Sequence, residues 1–129
     1  MVFPFLLILA IGVIDYTRVF STAITVASAA KAGAQYGAQS TTTSGDTAQI
    51  HQAGRLDAGA SAQLSLSSSR VCRCSDGVTV NCVTGSCGSY GAPRVYVAVT
   101  ASKSVATLIK YPGLPASIPL SRTATLRVQ

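Results

Sequence analysis

The sequence predicts an α+β protein, with a long N-terminal helix and a short second helix packed on an antiparallel sheet of about four strands. Three observations lead to this prediction. A helical pattern with very few charges runs through residues 1–39. Several alternating apolar runs follow, separated by Gly, Ser and Pro. Four cysteines cluster between Val71 and Gly88. We therefore divide the chain into a hydrophobic helix at 1–39 and a globular head at 40–129.

Composition limits the classes of function. A chain of 129 residues has room for one small domain besides the helix. Charged residues make up 11% of the chain, against about 25% in typical soluble domains. The net charge of +6 favours anionic partners in general. The basic residues form no run, however, so we do not favour nucleic acid as a partner.

The helical pattern has two unlike halves. Residues Met1 to Ile14 are uncharged and almost wholly apolar, whereas Phe20 to Ala38 are rich in small side chains. A helix of this length would be about 55–60 Å long, and the hydrocarbon core of a bilayer is about 30 Å thick. We expect the first half to lie in a membrane and the second half to pack on the head.

Three interpretations of the apolar segment remain open. It is a signal peptide cleaved near Ala30, a complete but short anchor, or the remainder of a longer hydrophobic stretch. We favour the third, because the segment from Met1 to Ile14 is shorter than the roughly 20 apolar residues that a span needs.

Three motifs in this region occur in a characteristic order: MVFP at 1–4, GVIDYTR at 12–18 and AAKAGAQYGA at 29–38. Their order and spacing resemble the N-terminal region of TadE-like proteins, subunits of the tight-adherence (Tad) branch of type IV pili. The resemblance implies a family glutamate and a processing site upstream of Met1. About six further mature residues would bring the uncharged stretch to about 20, enough to span.

The resemblance also implies a set of partners and a location. Prepilin peptidase would process the chain, and an inner-membrane assembly platform would pass it from the cytoplasmic membrane into an extracellular filament of its own copies. A low-copy minor pseudopilin of the same assembly machine is the alternative within the family.

The apolar and small residues of the helix are the predicted filament core. Small side chains let helix backbones approach closely. The predicted contact residues are Phe3, Phe5, Leu6, Leu7, Leu9, Ile11, Ile14, Ala23, Ala27, Ala30 and Ala34. Gly33 and Gly37 form a small-xxx-small pair, and a helical Gly costs about 1 kcal/mol against Ala, which indicates close contact there. Packing of Ala23 to Ala38 on the chain's own sheet is equally compatible with the pattern.

Asp15 is the first charge of the helix. An acid at membrane depth costs about 2.5–3.5 kcal/mol on insertion scales, and Arg18 lies one turn further on the same face. We expect Asp15 to mark the lipid boundary. We also expect it to pair with Arg18, within the helix or in a neighbouring subunit, and so to set register.

The head begins with a hydroxyl-rich loop at Ser40–Gly45, whose side chains are candidates for O-glycans. Helical spacing follows over Thr47–Ala60, with Ser44 or Asp46 as its cap. His51, the single histidine, has no Cys or Glu beside it, so we predict no catalytic or metal-binding role. The predicted strands are Gln63–Cys74, Val78–Val83, Arg94–Ala101 and Ile118–Val128, with a turn at Ser75–Gly77 and a loop at Tyr111–Pro115.

The cysteines predict two disulfides. Cys72, Cys74 and Cys82 lie on the predicted hairpin, and Cys87 follows it. Their spacing is not the paired C-x2-C of structural zinc, so we expect no metal, and an oxidising compartment. Of the three connectivities that four cysteines permit, we prefer Cys74–Cys82 with Cys72–Cys87.

No motif in the sequence indicates an enzyme. There is no Ser-His-Asp set, no carboxylate pair and no phosphate-binding loop, so we expect no catalytic residues and no cofactor. The preferred interpretation is a structural subunit of a Tad-type filament that polymerises through its N-terminal helix. Outside the family, the alternative is a small secreted binding module held by its disulfides.

Overall fold

Two helices lie on one face of a four-stranded antiparallel sheet with the strand order β2-β1-β3-β4. The computed structural model describes residues 2–59, 62–110 and 112–129. The elements are α1 (Phe3–Gly37), a 3-10 turn (Thr43–Gly45), α2 (Thr47–Ala58), β1 (Ser65–Arg73), β2 (Thr79–Val80), a second 3-10 turn (Gly88–Tyr90), β3 (Arg94–Ala106) and β4 (Ser117–Arg127). The α+β class and each type of predicted element are confirmed.

Helix α1 is one continuous α-helix of 35 residues, and its length is roughly 50 Å. Pro4 lies in its first turn, where the missing N–H removes no helical hydrogen bond. Burial begins only in the second half of the helix. The buried positions are Val26, Ala29, Ala30, Gly33, Ala34 and Gly37.

Glycines allow α1 and α2 to approach closely. A Cβ atom on Gly33 would lie 3.1 Å from the carbonyl oxygen of Ile50, and one on Gly54 would lie 2.9 Å from the carbonyl oxygen of Ala29. Each helix therefore presents a glycine to the backbone of the other. Ile50 is fully buried at this crossing.

Helix α2 is capped by Asp46, whose carboxylate accepts a hydrogen bond from the Gln49 N–H at 3.1 Å. Ser44, the other predicted cap, is instead buried and donates to the carbonyl oxygen of Thr41 at 2.7 Å. The helix ends at Ala58 and is followed by Gly59 with φ +88°. The predicted end at Ala60 lies outside the described residues.

The inner face of the sheet carries the core. Val97 and Val99 of β3 are fully buried, between Leu66 of β1 and Ala124 of β4. Strand β3 was predicted to end at Ala101 but runs to Ala106. Pairing with β4 continues to that point, and backbone pairing carries the strand beyond the clear apolar alternation.

The second strand of the hairpin at the cysteines is shorter than the sequence predicts. Its turn is confirmed: Gly77 has φ +87°, and its N–H donates to the Cys74 carbonyl at 3.0 Å. Strand β2, however, contains only Thr79 and Val80. The side chain of Asn81 accepts from the Val83 N–H at 2.8 Å, and this Asx turn ends the predicted Val78–Val83 strand.

The preferred disulfide pairing was wrong. The structure joins Cys72 to Cys82 and Cys74 to Cys87, with Cα–Cα distances of 5.2 Å and 5.5 Å. The register pairs Cys72 with Val80, which places Cys74 at the turn. Cys74 lies opposite Val78, whose carbonyl accepts its N–H at 2.9 Å. Cys82 comes two residues after Val80, the strand partner of Cys72, and bonds to Cys72 rather than to Cys74.

Candidate functional site: an exposed apolar stalk

The first half of α1 leaves a large apolar surface uncovered. We call residues Val2–Ile14 the exposed stalk. Nine of its large apolar side chains are about half exposed or more: Val2, Phe3, Phe5, Leu6, Leu7, Ile8, Leu9, Val13 and Ile14. Apolar patches of this extent mark protein or membrane contact sites.

Helix α1 is long and apolar enough to cross a membrane. Its most apolar window has a mean hydropathy of 1.8, and no part of that window is buried in the chain itself. Among the described residues it is the one helix that meets this criterion. A core helix of a globular domain would be mostly buried, so the exposure indicates a membrane anchor rather than a core element.

The predicted filament-core residues divide into two groups. Phe3, Phe5, Leu6, Leu7, Leu9, Ile14 and Ala27 are exposed, whereas Ile11 and Ala23 are half-buried. Ala30 and Ala34 are at most 1% exposed. They belong to the chain's own core, where Ala30 lies in a cluster with Ala101, and Ala34 in one with Val97. Of the two interpretations left open for Ala23 to Ala38, packing on the chain's own sheet therefore applies to Ala30 and Ala34.

The glycine pair of α1 makes the close contact that its sequence indicates, but within the chain. A Cβ atom on Gly37 would lie 2.9 Å from Cγ1 of Val97 and 3.0 Å from Cδ1 of Ile50. The spacing of Gly33 and Gly37 predicted proximity correctly. It could not distinguish a neighbouring helix from the sheet and helix of the same chain.

Asp15 ties the stalk to the far end of the head. Its two carboxylate oxygens lie 3.2 Å and 3.3 Å from the backbone nitrogen of Leu108, which donates to them. Leu108 lies just after β3, in the loop that leads to β4. The sequence pattern indicates Asp15 but not this partner, because no local pattern connects residues 93 positions apart. Pairing with Arg18 of the same or a neighbouring copy stays a prediction.

A groove of about 540 Å³ lies beside this contact. One wall is the stalk and the next turns of α1, from Ile8 to Val19, and the other is the end of the β3–β4 hairpin, including Leu114 and Ile118. Apart from Asp15, nearly all of the lining side chains are apolar. The hairpin therefore extends past Asp15 along the exposed stalk.

The outer face of the sheet has a different character. Its strands align hydroxyl side chains in rows, such as Ser67, Thr100 and Thr123. Thr100 and Thr123 are joined by a hydrogen bond of 2.7 Å between their Oγ1 atoms. Towards the other end of the strands the same face carries Val71, Tyr96 and Ala98, with Arg73 paired with Arg94 at its edge.

Some hydroxyl groups of the loop proposed for O-glycans are occupied in hydrogen bonds within the loop. Thr43 Oγ1 accepts from the Ser40 N–H at 3.0 Å, and Ser40 Oγ accepts from the Thr43 N–H at 3.1 Å. Thr41 and Thr42 remain exposed, so they are the better candidates in this loop.

The structure gives His51 a structural environment. Its Nε2 atom lies 3.2 Å from the hydroxyl of Ser68 on β1. Within residues 2–59, 62–110 and 112–129, no group of three or more His, Cys, Asp or Glu side chains is placed to hold a metal ion. His51 thus links α2 to the sheet.

Fold and stalk together define a class of protein: a small disulfide-bonded head carried on a long helix whose apolar half is uncovered. Residues 1–35 match the family model described as TadE-like protein, which confirms the resemblance found in the sequence. The match covers most of α1 and leaves the head outside it. It indicates a component associated with Tad pili. Neither the curated proteins nor the solved structures gave a significant match.

Proposed function

We propose that this protein is a structural subunit of an extracellular Tad-type pilus filament and polymerises through α1. The observation that carries the proposal is the exposed stalk, whose large apolar side chains are about half exposed or more, while the second half of the same helix is packed in the core. Before assembly the subunit is held in the cytoplasmic membrane. Prepilin peptidase and an inner-membrane assembly platform are its proposed partners.

The energetics of the stalk are compatible with movement of the subunit from the membrane into a filament. Full burial of a Leu, Ile or Phe side chain contributes about 1.5–3 kcal/mol. Nine half-exposed side chains therefore gain on the order of 10 kcal/mol when they are covered. Lipid and the helical core of a filament cover them about equally well, so movement from one to the other has a small net cost. Water is the environment that both states avoid.

Register between subunits needs a polar feature, because an apolar stalk alone specifies it weakly. Arg18 is exposed one turn beyond Asp15, at the end of the uncharged segment. We place it against an acidic group of a neighbouring subunit, with Asp15 as the leading candidate. The carboxylate already accepts the Leu108 N–H and retains acceptor capacity for a guanidinium.

The test is electron microscopy of filaments sheared from native cells, with mass spectrometry of the same fraction. We expect this chain to dominate a uniform filament whose core consists of its long helices. Retention of the chain in the membrane fraction, or its presence as a trace beside another pilin, would contradict a major structural role.

A low-copy minor pseudopilin is the second candidate, and one observation favours it. The β3–β4 hairpin flanks one side of α1, across the groove between Ile8 and Val19, which leaves less of the helix free for symmetrical neighbours. A subunit at the tip or base of a filament needs contacts on fewer sides. The same microscopy decides between the two.

A secreted module cleaved near Ala30 is disfavoured by the position of the core. Val26 and Ala29, both fully buried, lie before that cleavage point. Removing them would open the cluster around Leu64 and Ala101. The head and the second half of α1 form one packed unit.

A further inference from the structure

The loop between β3 and β4, residues 107–116, is unusually apolar for an exposed connection. We call its described residues, 107–110 and 112–116, the hairpin loop. Leu108 and Leu114 are 57% and 64% exposed, and Ile109 is 40% exposed. Exposed connections are ordinarily polar, because water otherwise contacts apolar side chains at a cost in free energy. The composition of this loop indicates an apolar environment.

The hairpin loop lies at the same depth as the exposed stalk. Leu114 shares the groove with Ile8, Leu9 and Gly12 of α1. Ile8 is seven residues before Asp15, a distance of about 10 Å along the helix axis. If Asp15 marks the lipid boundary, the tip of the loop extends about as far into lipid as interfacial segments do, which is about 5–10 Å.

Four backbone positions of the loop present no free N–H to lipid. An unsatisfied backbone N–H in lipid costs several kcal/mol. The Leu108 N–H is bonded to Asp15, and the Thr107 N–H donates to the Ala116 carbonyl at 3.1 Å. Pro112 and Pro115 have no N–H at all. Lys110 is exposed and long enough to reach the lipid phosphates from this depth.

We propose that the hairpin loop inserts into the head-side leaflet of the membrane next to the stalk, so that lipid at the headgroup–acyl boundary covers Leu108, Ile109 and Leu114. Lipid is the occupant because the loop surface is continuous with the exposed stalk, which lipid must cover before assembly. The inference rests on the proposed membrane anchoring. It adds a second contact that fixes the tilt and rotation of the head above the bilayer.

The experiment uses tryptophan as a depth reporter, since the chain contains no Trp. Three single variants of the full chain are reconstituted into vesicles of phosphatidylcholine and phosphatidylglycerol. Leu114→Trp reports on the loop, Leu9→Trp on the stalk, and Val83→Trp, at a position 85% exposed on the distal part of the head, on water. Emission is compared in plain vesicles, in vesicles with lipids brominated at a shallow acyl position, and with aqueous iodide.

We expect brominated lipid to quench Leu9→Trp and Leu114→Trp and to leave Val83→Trp unchanged, whereas iodide quenches mainly Val83→Trp. Quenching of Leu9→Trp without quenching of Leu114→Trp would overturn the inference and leave the anchor intact. Absence of quenching for both would overturn the anchoring as well. A blue-shifted Leu114→Trp that neither quencher reaches would show that a second copy covers the loop, which also overturns lipid as its occupant.

A second tryptophan position in the loop controls for local disturbance by the large indole ring at position 114. Ile109→Trp samples the other side of the loop, and circular dichroism checks that each variant retains the fold. Agreement between Leu114→Trp and Ile109→Trp supports insertion of the loop. If both variants are folded and brominated lipid quenches neither of them, insertion of the loop is refuted.

Discussion

Single glycines determine how closely the two helices pack. In Gly54→Ala the new Cβ would meet the Ala29 carbonyl oxygen at 2.9 Å, and a backbone atom cannot move aside as a side chain can. Overpacking costs about 1–3 kcal/mol, and the higher helix propensity of Ala returns up to about 1 kcal/mol. We expect the free energy of unfolding to fall by about 1–2 kcal/mol, as measured by urea denaturation in detergent with circular dichroism.

Gly12→Ala is the matched control for that substitution. Among the residues that the structure describes, no atom beyond the adjoining backbone of α1 lies within 4 Å of a Cβ added at Gly12, and this position is exposed. We expect unfolding of the head to be unchanged. Equal stability of Gly54→Ala and the native chain would show that the helices separate easily at this crossing.

Asp15 is the residue that holds the hairpin loop against α1. In Asp15→Ala the Leu108 N–H loses its acceptor, whereas Asp15→Asn keeps an oxygen at the same position. A hydrogen bond to a charged group contributes about 1.5–3 kcal/mol, and less where water competes for it. We expect faster hydrogen exchange at the Leu108 amide in the Ala variant, with a smaller effect in the Asn variant.

Exchange at Leu108 that is the same in all three proteins would mean that the contact is absent in solution. Amides of β3, such as that of Val99, serve as the internal reference, since they lie in the sheet and should keep their protection.

At the scale of elements, the cysteine hairpin depends on its two disulfides. Their cysteines are separated by 10 and 13 residues, and closing a loop of about this length stabilises by about 3 kcal/mol. We expect Cys72→Ala with Cys82→Ala and Cys74→Ala with Cys87→Ala to cost about the same. Cys72 is 1% exposed in the first pair, and Cys74 and Cys87 are 6% and 8% exposed in the second. Thermal unfolding in detergent measures both costs.

The connectivity itself is tested by digestion without reduction. Trypsin cuts after Arg73 and elastase after Val83, which places Cys72, Cys82 and Cys87 in different peptides. We expect the peptides with Cys72 and with Cys87 both to remain linked to the peptide of residues 74–83, which carries Cys74 and Cys82. A link from Cys72 to Cys87 would restore the pairing first inferred from the sequence.

Elements with a strong local pattern were predictable, and elements that depend on distant partners were not. The uncharged run before Asp15 and the alternation of Val95, Val97 and Val99 indicate their structures directly. The length of β3 and the disulfide pairing depend on the register between strands, which the sequence does not display. The same holds for Ala30 and Ala34, whose small size indicates close packing but not the identity of the partner.

The whole molecule consists of a head, with which the second half of α1 packs, and of a stalk that carries none of the buried residues of α1. A fragment of residues 20–129 would keep every buried side chain of α1 and lose only residues before Phe20. A fragment of residues 31–129 would also lose Val26, Ala29 and Ala30 from the core. The two fragments differ by only eleven residues, but these residues include three buried apolar side chains of the core.

We expect fragment 20–129 to fold and fragment 31–129 to be unfolded or aggregated. Loss of the buried side chains of Val26, Ala29 and Ala30 lowers the free energy of unfolding by about 3–5 kcal/mol. This is a large share of the roughly 5–15 kcal/mol that stabilises a typical domain. Circular dichroism, size-exclusion chromatography and amide NMR spectra of the oxidised fragments measure this difference. If fragment 31–129 were as stable as fragment 20–129, a head released by cleavage near Ala30 would be viable. The secreted binding module would then replace the filament subunit as the better explanation of this chain.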